Sequence, residues 1–263
     1  MIGLMPVKLD VALEEKKLLL KGLYEVFEEE AGKFSFVCEP GCADCCTVNV
    51  LATGIEALNL LDSLSSEEKK RWQDRLKPYQ GKERLRPKVT PNEMAALYMA
   101  GKEPPLDEGF CFEPCPFLDT KGLCQIYEMR PLSCRTFFSL KRCREEGEAV
   151  VPPEFFSLTM VFMQLLEEID LAGLYGNYID LLLFFFEKEG KNPEELVIPP
   201  ELLANREAPD FAIPPQHEDY LRPILGRLYR HPVKDKTFKD LLDEVKEKIK
   251  PKEALSFLGE AFS

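Results

Sequence analysis

Histidine, tryptophan and long apolar runs are scarce in this 263-residue chain, and its charge leans one way. The longest apolar run, "LLLFFF" from Leu181 to Phe186, has six residues. A membrane helix needs roughly 20, so no membrane span is expected. Lys and Arg number 34 against 46 Asp and Glu, a net of −12. A surface that wraps nucleic acid or lies on anionic lipid is usually basic. No broad nucleic-acid surface is therefore expected, although a local basic patch remains open. The opening stretch "MIGLMPVKLDVALEEKK" lacks a basic start, a usable apolar run and a small-residue cleavage site. No signal peptide is expected from it, and the expected location is cytoplasmic, where thiols stay reduced. Strand-like patterns never exceed a few residues, "FSFVCE" and "CTVNVLA" being the best, and no internal repeat stands out.

What the chain does have is helical periodicity. Over residues 9–31, Leu13, Leu20, Leu23, Phe27 and Ala31 recur at spacings of three, four and seven, with Glu and Lys on the other face. Gly32 is placed to close that helix. "TGIEALNLLDSL" reads as a short helix starting near Thr53. Ser65 and Glu68 have capping-box spacing ahead of another, with Pro78 at its stop. Thr90 and Glu93 repeat the pattern, with Pro91 at the first helical position and Gly101 at the end. Beyond residue 150, "EFFSLTMVFMQLLEEIDLAGLYG" and "YIDLLLFFFEKEG" are apolar enough to be buried on most sides. "IPPELLANREAPDFAIPPQ", with five prolines, is a connection. "KTFKDLLDEVKEKIK" is amphipathic, and "PKEALSFLGEAF" reads as a closing helix. The expected fold is mainly α. An irregular cysteine-rich region packs against N-terminal helices and a helical C-terminal layer. The expected division is 1–33, 34–148 and 149–263, packed as one unit.

The cysteines carry the functional signal. Nine of them stand at 38, 42, 45, 46, 111, 115, 124, 134 and 143, and none follows. As plain buried hydrophobes they are too many and too dense, although Cys111 and Cys143 individually fit that description. Disulfides fit poorly with an odd count, a chain of this length and no export signal. Metal ligation fits best. Cys42-x2-Cys45 is the spacing at which two thiolates converge on one metal, and Gly41 suits the tight turn before it. Cys46 then points toward a second metal or another corner of a cluster. Cys115-x8-Cys124 and Cys124-x9-Cys134 match neither a zinc ribbon nor the bacterial ferredoxin run. The only histidines, His217 and His231, lie beside prolines and charges and read as surface residues, so the site is expected to be all sulfur. Such sites favour zinc or iron–sulfur. In "CQIYEMRPLSCR", Arg130 and Arg135 flank Cys134, where guanidiniums offset thiolate charge or are simply solvated.

The order C-x3-C-x2-C-C, C-P-x-L and G-x-C-x-I-Y-x-x-R-P-x-x-C-R resembles the YkgJ-type cysteine-cluster proteins. It is carried by Cys38, Cys42, Cys45, Cys46, Cys115, Pro116, Leu118, Gly122, Cys124, Ile126, Tyr127, Arg130, Pro131, Cys134 and Arg135. The match runs from 38 to 135, or to about 145 with Cys143. The resemblance implies zinc or an iron–sulfur cluster. One branch of the family is associated with flagellin lysine N-methylase activity, but no G-x-G methyl-donor loop follows a strand here; the nearest pattern is "GLYG" at 173–176. The expected ligands are Cys42, Cys45, Cys46, Cys115, Cys124 and Cys134, then Cys38 and Cys143, with Arg130 and Arg135 around them. The expected cofactor is an iron–sulfur cluster, four-iron favoured, or zinc. Three roles follow: a metal-binding protein, a cluster-dependent methylase-like or redox enzyme with a protein substrate, or a metal-stapled module that docks a protein partner.

Overall fold

Leu19, Leu20, Leu23, Val26 and Phe27 form one buried stripe along α1 (Leu13–Ala31), and this stripe organises the first of two cores. The helix lies against α7 (Pro153–Ile169), α9 (Glu218–Arg230) and α10 (Phe238–Ile249). Phe27 meets Phe162 and Phe155 of α7 at ring-centroid distances of 5.4 and 5.9 Å. Each fully buried side chain of this kind contributes about 1.5–3 kcal/mol. The chain is described here from a computed structural model, over residues 11–188 and 197–249. The closing helix expected over 251–262 lies outside the described residues.

The second core is built by α2 (Gly54–Ser63), α3 (Ser66–Leu76) and α8 (Tyr178–Lys188), and the cysteine loops pack onto it. A small antiparallel sheet joins the two cores. In it, β2 (Leu174–Asn177) is central, β1 (Leu51–Thr53) pairs Leu51 with Asn177, and β3 (Leu203–Ala204) pairs Leu203 with Tyr175. "GLYG" thus enters this sheet instead of ending a helix. Gly173 is required there, because a Cβ would stand 2.2 Å from the Asp170 carboxylate. Asp170 ties the layers together. It accepts from Lys16 Nζ at 3.1 Å, Ile55 N at 3.1 Å and Asn205 Nδ2 at 2.9 Å. The Ile55 bond satisfies one of the orphan N–H groups at the start of α2.

The expected elements differ in detail. Lys16 and Glu30 of α1 are buried and paired, not on the solvent face, and Gly32 has ordinary right-handed φ. Pro78 falls inside a 3-10 turn, Lys77–Tyr79, that extends α3. Thr90 caps α4 (Pro91–Met99) from one side, while Glu93 turns to Arg206 at 3.5 Å. "FSFVCE" forms no strand, and only the end of "CTVNVLA" does. Helix α9 has no counterpart among the sequence expectations; Pro223 within it hides its period. A hairpin of β4 (Pro232–Val233) and β5 (Lys236–Thr237) leads into α10. No helix among the described residues is long and apolar enough to cross a membrane.

Candidate metal centre

Cys115, Cys124 and Cys134 line one small, partly enclosed cavity of about 30 Å³, the inner cavity, with Arg130 and Tyr178 in its wall. Each thiol arrives by a different device. Val48 N bonds to Glu113 O and Cys115 N to Cys46 O, around a bridge between Thr47 and Pro114. That antiparallel register sets Cys46 opposite Cys115, on the same side of the ladder. Cys124 returns toward Cys115 on a hairpin pairing it with Leu118, turned by Asp119 and by Gly122 at φ 77°. The Asp119 carboxylate accepts from Lys121 N and Leu123 N, both at 2.8 Å. Cys134 sits on the short α5 (Leu132–Thr136) after Pro131. Glu56 of α2 fixes α5 by accepting from Leu132 N at 2.5 Å, while also taking Tyr24 Oη at 2.7 Å and Thr53 N at 2.8 Å.

The outer cysteines occupy the surface. Cys38, Cys42 and Cys143 line an open cleft of about 270 Å³, rimmed by Lys141, Arg142 and Arg144. Cys45 belongs to the same electrostatic neighbourhood as Cys38, Cys42 and Cys143. The loop folds over through Cys42 N to Glu39 O at 3.0 Å, with Gly41 at φ 88°. Two ion pairs clamp it to the Cys143 turn: Arg142 to Glu39 at 3.0 Å and Arg144 to Asp44 at 2.8 Å. Val37 N bonds to Ser139 O at 2.9 Å, and stacked Phe36 and Phe138, 4.9 Å apart, seat this strip on the first core.

Residues 37–151, which contain every cysteine, match the model of a family described as "CxxCxxCC: Putative zinc- or iron-chelating domain". Over those residues the chain is similar to a CxxCxxCC domain. Its first two cysteines stand one residue farther apart than that signature. No curated protein and no solved structure matches.

Burial raises the inner thiols: Cys115 is pushed up to about 11, and Cys124 also rises. Cys134 stands well above the ordinary thiol value, chiefly from burial, then from neighbouring Cys115 and Cys124, against the pull of Arg130. Cys45 is raised first by the contact between its thiol and that of Cys46, then by burial. A cation that takes these sulfurs as thiolates must displace protons.

The eight cysteines singled out from sequence therefore fall into two neighbourhoods, and Cys46 lies between them. Cys111 joins neither; its backbone is held by Asn49 at 2.6 and 3.2 Å, and it packs against the second core. Among the described residues, no three Cys, His, Asp or Glu side chains already stand arranged to hold one ion. Arg130 stacks on Tyr127 at 3.7 Å, and its buried Nε has no partner. Arg135 is committed elsewhere: its guanidinium donates to Arg130 O at 3.0 Å and Glu128 O at 2.6 Å, and it pairs with Glu28. It shapes the turn that carries Arg130. His217 bonds Ser157 at 2.8 Å and His231 faces Glu25 at 3.0 Å, both on the first core's side. Sequence reasoning missed Tyr178, which is 2% exposed, lines the inner cavity and leaves its hydroxyl unpartnered. Its one sequence signal is a phenol heading the apolar run of α8.

Proposed function

We propose that this protein holds metal through cysteine thiolates as an iron–sulfur centre, with zinc as the alternative. The observation that carries metal binding by thiolates is the inner cavity. Three thiols there share a wall with two buried hydrogen-bond donors, Tyr178 Oη and Arg130 Nε, that have no protein partner. An unpartnered buried donor costs about 1–3 kcal/mol, and thiolates bound to a metal are the acceptors that would relieve it. The donor set is all sulfur, which suits zinc and iron and not hard cations. The ligands are Cys38, Cys42, Cys45, Cys46, Cys115, Cys124, Cys134 and Cys143, within a domain bounded near 34 and 148. The outer cleft has room for a cluster, and its cations would offset thiolate charge. When bound, the centre supplies either a structural clamp or a redox-active group. Because no three ligands are already gathered, side chains of the loops move inward on binding.

A second reading, a metal-stapled docking module, is favoured by Leu106, Phe110 and Phe112, which are 85, 60 and 86% exposed beside the cysteine loops. The test is elemental analysis for iron, zinc and acid-labile sulfide, with an optical spectrum, on protein purified without oxygen. Iron with sulfide and broad visible absorption supports the cluster. Stoichiometric zinc without colour moves the protein to the docking module. No metal after reconstitution overturns the thiolate reading.

A further inference from the structure

The inner cavity and outer cleft differ about ninefold in volume, about 30 against 270 Å³. A water-sized body needs about 10–15 Å³ by this measure, so the inner cavity has room for one ion between its thiols and the outer cleft for a larger group. The thiols divide the same way. Cys38 has Cys42, Cys45 and Cys143 around it at the outer cleft, and Cys115, Cys124 and Cys134 are mutual neighbours at the inner cavity. Cys46 is set opposite Cys115 by the 46–48 and 113–115 pairing. Building on the thiolate reading, we infer that the protein has two separate centres. The inner one is a single-ion site of Cys115, Cys124 and Cys134, completed by Cys46 when its thiol turns from Cys45, with which it is now in contact; Tyr178 Oη and Arg130 Nε donate hydrogen bonds to it. The outer one is a larger open centre of Cys38, Cys42, Cys45 and Cys143.

Two four-thiolate sets account for every cysteine except Cys111, whose place is structural. The inner donors make chemical sense only for an anionic centre. Four thiolates around a divalent ion carry a formal charge of −2, and a phenol and a guanidinium N–H stabilise sulfur charge without adding ligands. In the metal-free protein the Tyr178 hydroxyl is a buried donor with nothing to bond, so Tyr178 is a positioning residue whose worth appears on loading.

The test is metal counting with Zn²⁺ and Co²⁺ as probes on the full-length chain. Cys38→Ser/Cys42→Ser is expected to keep one tightly bound ion per chain, with a thiolate-to-cobalt absorption band. Tyr178→Phe is expected to weaken that inner ion about 10–100-fold and shift the band. It should leave the outer complement unchanged and melt no lower than wild type when metal-free. Loss of all metal together in Cys38→Ser/Cys42→Ser overturns the partition, because it means one shared centre. An unchanged inner affinity in Tyr178→Phe overturns the donor role. A wild type that binds no metal overturns the thiolate reading itself, an outcome distinct from both.

Discussion

Phe162 lies in a core of hydrocarbon drawn from α1, α7, α9 and α10; around Asn49 the partners are backbone amides and carbonyls. Asn49 accepts from Leu85 N at 3.1 Å and Cys111 N at 3.2 Å, and donates to Cys111 O at 2.6 Å. Asn177 similarly donates to Val48 O at 2.8 Å and Leu85 O at 3.0 Å. Arg84, buried, pairs with Asp180 and reaches Tyr79 O at 2.6 Å. The helical frame is held by apolar area. The cysteine domain hangs from that frame by single polar side chains that grip loop backbone, with apolar area supplied mostly by α2, α3 and α8. One region folds on its own periodicity; the other needs ties, and we expect its last tie to be metal.

The largest expected effect separates the two regions outright. Stripping metal from loaded protein with a chelator removes a binding free energy on the order of 10 kcal/mol for a structural thiolate site. Far-ultraviolet helicity of the frame should persist. The emission of Trp72, the sole tryptophan, packed 4.9 Å from Phe117 on the Cys124 hairpin, should shift to the red. Simultaneous collapse of both signals would break the comparison. Next, Phe162→Ala should cost about 3–5 kcal/mol in denaturant unfolding while leaving the metal count intact.

The frame also has a pH signature. Burial pushes the Glu167 carboxyl up to about 7, although Asn92 N and Arg206 N both donate to it at 2.7 Å. Its unfolded value is ~4.3, so in between the folded state binds more protons and stability falls as pH rises. The cost, up to about 4 kcal/mol, is absent below that window and complete above it. Glu167→Gln should flatten this part of the melting-temperature profile. The smallest effect belongs to the loops: Asn49→Ala should cost about 1–3 kcal/mol and loosen the inner ion, since it frees Leu85 N and Cys111 N.

The same contrast explains what the sequence reveals. Helices α1, α3, α4 and α10 are legible because apolar spacing and Ser65 or Thr90 caps leave local marks. The cysteine set and the neighbourhood of Arg130 are legible as chemistry in unusual density. The strand β2 is not, because four buried residues between two apolar helices carry no alternation. The loop architecture is not legible either. Asn49, Glu56 and Asn177 act across 62, 76 and 129 residues of chain, and a long-range bond from one polar side chain has no sequence period. Tyr178 was hidden for the same reason, its hydroxyl meeting the cysteines only in three dimensions.

The most direct test of the central claim is X-ray absorption at the edge of the bound metal. The account predicts a first shell of sulfur alone, at about 2.3 Å for zinc. A shell dominated by nitrogen or oxygen would contradict it, because it would place the metal away from the cysteines.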